Sequence, residues 1–244
     1  TMDELDMWDD TMLIVNTDHG FLLGEHDWWG KVVQPFYQEI VHTPLLIWDP
    51  RSRRQAVRCD SLVQTMDLPA TLLEFFGIDL PKDMQGIPLR DALADDAPVH
   101  DAVLFGVFGG HVNCTDGKHV LMLAPEAPDN GPLNRYTVMP THMRGPFSPE
   151  ELQEIEVAGP LPFTKSAKVM KLPVAESMSG FVKRSDYFGN PLKTMLFDVV
   201  ADPAQNTELD DEVIERRLKQ EIKRLMKDND APQEQFVRMG LGSI

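Results

Sequence analysis

The sequence predicts an α/β fold in two unequal parts, a sheet-and-helix portion over residues 1–97 and a smaller antiparallel sheet with a packed terminal helix over residues 98–244. Three observations carry this. Met12 to Asn16 is a continuous apolar run without alternation, the pattern of a strand covered on both faces of a parallel sheet. Asp116-Gly117 stands between two extended segments, Val112 to Thr115 and Lys118 to Leu123, and Asp-Gly in that setting signals a tight hairpin. Asp211 to Lys227 places Ile214, Leu218, Ile222 and Leu225 on one stripe, the pattern of a helix that packs on a sheet.

The remaining elements follow in order. Leu5 and Trp8, at helical spacing, suggest the last turns of a helix that starts upstream of Thr1. Phe21 to Glu39 is irregular, glycine-containing and aromatic, and is expected to form a loop over the strand ends. Val41 to Trp48 is a second apolar strand, and the arginines Arg51, Arg53, Arg54 and Arg58 after it are expected to solvate a loop. Ser61 to Phe76 has helical periodicity that Pro69 divides, the second helix opening near Asp67 and stopping at Gly77. A turn at Gly86 to Leu89 precedes a short helix, and the acidic stretch Ala94 to Pro98 marks the boundary between the two parts.

Beyond it, short extended segments replace helical periodicity. Ala102 to Gly109 and Arg135 to Met139 extend the antiparallel set, and Pro125 to Pro132 forms a loop. Ser148-Pro149-Glu150-Glu151 announces a helix, with Ser148 as cap, Pro149 in the first position and Glu151 closing a capping box. Pro160 to Tyr187 reads as loop with a strand inside it, and Met195 to Val200 as a strand before a turn at Asp202-Pro203. From Asp228 the tail lacks periodicity and is expected to run over the surface.

Composition narrows the function. The formal charge of −16, from 39 acidic and 23 basic residues, argues against nucleic acid or an anionic membrane as partner. An anionic substrate then requires a local positive centre. Cys59 and Cys114 are the only cysteines and stand in no metal-type spacing, which favours free thiols. No apolar run approaches the roughly 20 residues that span a bilayer. The absence of a leader peptide leans toward the cytoplasm only if Thr1 is the native start.

Asp18 and His19 follow the first strand, at the strand end where ligands of open sheets gather. A carboxylate oxygen and an imidazole nitrogen suit a divalent cation, although such a dipeptide also serves as an ordinary turn. Lys31 is a flexible cation able to offset charge on an oxyanion, or else a solvated surface lysine. His26 shares the ambiguity of His19. Trp28 and Trp29 offer either an aromatic wall over a substrate or core packing. His42 reads as structural, and His111 and His142 have no partner in their own neighbourhoods.

The run TMLIVNTDHGFLLGEHDWWGK from Thr11, the strand HTPLLIWDP, the segment SLVQTMDLPATLLEFFGI and the element LFDVVADPAQNTEL resemble, in the same order, segments of the sulfatases of the alkaline phosphatase superfamily. The resemblance implies part of an alkaline-phosphatase-like α/β domain followed by the family's smaller antiparallel sheet. It implies that Asp18 and His19 are ligands of a divalent metal, usually calcium, that Lys31 contacts the sulfate as a catalytic group, and that His26 is the substrate-side histidine of LGEH. The family's nucleophile is a formylglycine made from a cysteine or serine in C/S-x-P-x-R. Cys59 is followed by Asp-Ser-Leu-Val and Cys114 by Thr-Asp-Gly-Lys, and no serine fits that motif. The expectation is therefore a carboxyl-terminal portion that supplies half of a sulfate-ester hydrolysis site and is inactive alone. Its partners would be a sulfated small molecule or glycan and the missing amino-terminal half of the same protein. A phosphodiesterase or phosphonate monoester hydrolase of the same superfamily is the nearest alternative, and a non-catalytic binding or scaffolding chain the next.

Overall fold

The structure, a computed structural model, describes residues 1–31, 34–139, 141–142, 145–161, 164–174 and 189–242. The opening residues form turns instead of the expected helix, with Trp8 packed edge-on against Trp48 at 5.2 Å. Strand β1 (Leu13–Asn16) pairs with β4 (Leu45–Trp48), and between them lie a short hairpin of β2 (Leu22–Leu23) and β3 (Trp29–Gly30) and the single-turn helix α1 (Gln38–Val41). The β1–β4 ladder is antiparallel, and Val15 and Leu46 are more than half exposed. The direction of the ladder corrects the parallel pairing expected above. An unalternating run reports that both faces are apolar; it carries no information about the direction of the partner or what covers those faces.

Helix α2 (Asp67–Phe75) opens where expected, with Pro69 tolerated in its first turn; residues 61–66 before it are not helical. Helix α3 (Arg90–Asp95) ends on Asp96, whose left-handed conformation (φ 58°) closes the last turn. Three buried contacts fasten this region together. The Asp67 carboxylate, fully buried at the start of α2, accepts from the Gln64 amide (2.7 Å), the Ile87 amide (2.8 Å) and the His100 Nε2–H (2.9 Å). Arg51 does not merely solvate a loop: it bridges Asp49 (2.7 Å) and Glu74 (2.8 Å) and lies over the Phe75 ring.

The second part centres on an antiparallel sheet in the order β13-β7-β6-β5, with β5 (Val103–Gly106), β6 (Val112–Thr115), β7 (His119–Leu123) and β13 (Met195–Asp198). A second sheet is built from β8 (Asn134–Thr137), β11 (Glu156–Ala158) and β12 (Val169–Pro173) in the order β11-β12-β8, with the small hairpin β9 (Thr141–His142) and β10 (Gly145–Pro146) beside α4 (Pro149–Gln153) in sequence. Strand β12 answers the expectation of a strand within Pro160 to Tyr187, most of the rest of which lies outside the described residues. The capping box at α4 is complete: Ser148 accepts from the Glu151 amide, and Glu151 accepts from the Ser148 amide.

Helix α5 (Glu212–Asp228) is capped by Asp211 and lays Leu218, Ile222 and Met226 on the first sheet, with Ile214 and Leu225 at the margin. Leu218 and Ile222 are fully buried, worth about 1.5–3 kcal/mol each. The tail does not run over the surface. Helix α6 (Gln233–Arg238) buries Phe236 completely in the same core, together with Arg238 and Met239. Six residues are too few for their period to stand out, so its apolar anchor was invisible in sequence. Both cysteines are free thiols, and among the described residues no helix is long and apolar enough to cross a membrane.

The β6–β7 hairpin also carries an acid-sensitive contact. Partial burial raises the Asp116 carboxyl, but the His119 amide, the Arg217 guanidinium of α5 and the Lys118 amide outweigh it and hold it at about 2. A carboxyl below its ordinary value of 3.8 stabilises the fold above about pH 4 and loses that contribution as pH falls through about 2. Asp116→Asn should therefore lower stability by about 1–2 kcal/mol at neutral pH and flatten the acid limb of a urea-unfolding series between pH 4 and 2. An unchanged limb would refute the assignment.

Candidate functional site

The site is built on the carboxyl end of β1. Beyond Asn16, the Thr17 hydroxyl donates to the His19 carbonyl (3.2 Å), and the His19 amide donates to Asp18 Oδ1 (3.0 Å), which folds the Asp-His pair into a tight turn. Gly20 follows because nothing else fits. Its amide donates to the Ile40 carbonyl at 2.8 Å, and a Cβ at this position would lie 1.7 Å from the Glu39 carbonyl oxygen. The turn is thus clamped to α1.

His19 and Asp18 meet at a second point. His19 Nδ1 is 2.9 Å from the Gly20 carbonyl, which can only accept, so Nδ1 carries a proton and Nε2 is left to face outward. That nitrogen stands 3.2 Å from Asp18 Oδ2, on a carboxylate whose side chain is 80% exposed. Slight desolvation raises Asp18, but the His19 charge, the His19 amide and the Thr17 hydroxyl hold it below its ordinary value. Where Nε2 carries no proton, its lone pair and the carboxylate oxygen repel at this distance. A proton or a cation placed between them turns the repulsion into attraction.

The arrangement fits the donor set of a divalent cation, one hard oxygen beside one imidazole nitrogen, and it supplies two ligands only. Among the described residues no group of three His, Cys, Asp or Glu side chains gathers that could complete a shell.

The β2–β3 hairpin sets the other candidates. Leu22 anchors it, fully buried, and it pairs Leu22 with Gly30 and Leu23 with Trp29. Lys31 follows β3 directly; it is exposed and has no hydrogen-bond or ion-pair partner among the described residues. No contact joins it to Asp18 or His19, so the structure brings the Asp-His pair together and leaves Lys31 as a separate, free cation. His26, in the left-handed region (φ 52°), turns inward: it stacks flat on Tyr37 with ring centroids 3.5 Å apart and faces Glu39 across 3.8 Å. Trp28 is half-buried under the hairpin, where a Cβ on Gly30 would lie 2.8 Å from its indole nitrogen, while Trp29 is 69% exposed. Of the two aromatic expectations, packing holds for Trp28 and an outward ring for Trp29.

Glu39 and Tyr37 carry no motif of their own. They enter through contacts 11 and more residues away in sequence, which no local pattern encodes. His111 and His142 both acquire distant or cross-element partners: His111 Nε2 donates to the Lys193 carbonyl (3.0 Å), and His142 pairs with Glu151 (2.8 Å).

Residues 24–110 match the family model described as N-sulphoglucosamine sulphohydrolase, C-terminal. The chain is 32% identical over 88 residues to an N-acetylglucosamine-6-O-sulfatase of Bacteroides thetaiotaomicron, a stretch that covers 36% of this chain and 15% of that protein. It is 34% identical over 98 residues to a multifunctional alkaline phosphatase superfamily protein of Trinickia caryophylli, covering 40% of this chain and 19% of the relative. Among solved structures, a protein in complex with its substrate D-glucosamine-2-N,6-O-disulfate superposes with a TM-score of 0.58 at 16% identity, over 94% of this chain and 37% of the other. The matched stretches thus span less than a fifth of these curated relatives, and the fold likeness well under half of the solved chain.

Proposed function

Because the chain belongs to the sulfatases of the alkaline phosphatase superfamily and corresponds to their carboxyl-terminal portion, we propose that it serves the hydrolysis of a sulfate ester, with Asp18 and His19 holding a divalent cation and Lys31 facing the sulfate. The observation that carries this is the opposed pair of Asp18 Oδ2 and His19 Nε2, 3.2 Å apart at a strand end. Calcium suits the exposed carboxylate, and when bound it would supply positive charge beside the sulfate oxygens. His19 donates its Nδ1 proton to the Gly20 carbonyl, which leaves Nε2 as the nitrogen that would meet a cation, and Gly20 keeps the turn against α1. Lys31 offers an unpaired ammonium for the charge that grows on the sulfate as its ester bond breaks. The chain contains no C/S-x-P-x-R motif, so the nucleophile comes from outside these 244 residues and this chain forms half of the site, within residues 1–97.

The name of the Trinickia relative, a multifunctional alkaline phosphatase superfamily protein, does not confine it to sulfate esters, and the alternative carried here is a phosphodiester or phosphonate monoester as substrate. The full-length protein separates the two. Higher kcat/KM on an aryl sulfate than on an aryl phosphodiester supports the sulfatase assignment, and the reverse order transfers the site to the phosphorus ester. Calorimetric calcium binding, abolished in His19→Ala and accompanied by activity that a chelator removes, tests the cation pair; binding that survives the substitution would refute it.

A further inference from the structure

Joined to the Asp18–His19 turn through Glu39 is an open cleft of about 500 Å³, lined by His26, Asp27 and Tyr37 from one stretch of the chain and by His111, Lys193 and Glu208 from others. The volume falls within the roughly 300–1,000 Å³ typical of small-molecule sites. Its lining comes from stretches far apart in the chain, and each is held by packing or hydrogen bonds. On the first, His26 lies flat on Tyr37, and Tyr37 meets Phe197 of β13 edge-on at 6.2 Å. On the second, His111 is buried and bonded to the Lys193 carbonyl. The turn before it is pinned by Arg238, which donates to the Gly110 carbonyl (3.2 Å) and to Asn130 Oδ1 (2.7 Å). Arg238 is only 3% exposed and forms no ion pair among the described residues. A buried guanidinium with neutral partners is unfavourable in itself, and here it braces the turn that presents His111.

Glu39 ties this cleft to the candidate site. Its carbonyl abuts Gly20, the residue after His19, and its carboxylate faces His26 in the cleft wall. The cleft and the Asp-His pair are therefore two sides of one short segment.

The charges at the cleft say what can enter. Lys193 is ion-paired with Glu208, and both remain accessible, at 65% and 45% exposure. Asp27 adds a second carboxylate, and burial lowers the pKa of His111, which keeps that ring uncharged. Among the described residues, one ammonium against two carboxylates repels an additional anion, and offers both a donor and acceptors to hydroxyl groups.

The geometry points to a subsite for the alcohol half of the sulfate ester, a neutral, hydroxyl-rich sugar ring without a carboxylate, with Lys193 and Glu208 as the residues that select it. This rests on the sulfatase assignment above. In the full-length protein, Lys193→Met and Glu208→Gln are each assayed on a neutral hexosamine sulfate, a sulfated uronic acid and a small aryl sulfate. Each substitution should lower the ratio of kcat/KM for the hexosamine sulfate to that for the aryl sulfate about tenfold, the equivalent of one hydrogen bond to the ring, and should act through KM. The wild type should prefer the hexosamine sulfate to the uronic acid, and Glu208→Gln should narrow that preference. Unchanged ratios in both variants, or a wild-type preference for the uronic acid, overturn the subsite while leaving the sulfatase assignment intact. A wild type inert toward all three sulfates overturns that assignment and the subsite with it. Retained turnover of the aryl sulfate by the variants serves as the control for folding.

Discussion

Replacing Lys31 with alanine is expected to lower kcat for a sulfate ester about 10²-fold or more in the full-length protein, with a smaller change in KM. An ammonium that offsets charge present only in the transition state acts on kcat, because the ground-state ester carries less charge on the oxygens it faces. Lys31 is suited to this role by what it lacks. It is exposed and unpaired among the described residues, directly after β3, so no carboxylate of the described chain competes for its charge. Lys31→Arg should recover only part of the loss, since a planar guanidinium presents its donors differently from a compact ammonium. Single-turnover kinetics on an aryl sulfate checks both. An unaltered kcat in Lys31→Ala would remove this residue from the mechanism.

The largest effect on stability is expected away from the site, at Asp67. Among the described residues its carboxylate is the one acceptor for the Gln64 and Ile87 amides and the His100 Nε2–H, and it has no exposure to water. Asp67→Ala leaves three donors without partners in the interior, and at about 1–3 kcal/mol for each buried group the loss should reach about 3–5 kcal/mol after relaxation. Asp67→Asn should recover little of this, because its amide group would point a donor at a donor. The midpoint of urea unfolding should shift with an unchanged slope. A loss under about 1 kcal/mol in Asp67→Ala would mean that water or a rearranged loop satisfies these groups.

The contrast between Asp67 and Lys31 shows what a sequence can carry. The Asp116-Gly117 hairpin, the Ser148 capping box and the α5 stripe were legible because each is decided within a few residues. The opening of α2 near Asp67 was legible for the same reason, but not its carboxylate's reach to Ile87 and His100, 20 and 33 residues away. The direction of β4 against β1 and the burial of Phe236 escaped because they are settled by packing between distant segments. Asp18, His19, His26 and Lys31 stood out through their position at a strand end and through resemblance. The structure adds that the first two meet, that His26 turns onto Tyr37, and that Lys31 stands apart.

Tyr37 belongs to two places at once. It forms the floor under His26, and it is itself part of the core formed by Val120, Met122, Met195 and Phe197 of the central sheet. Undocking this end of the loop would expose part of a packed interior, so the segment is ordered by the fold and not by what binds to it. A substrate arriving there need not surrender much free energy to freeze the loop, and more of its contact energy is left to appear as affinity.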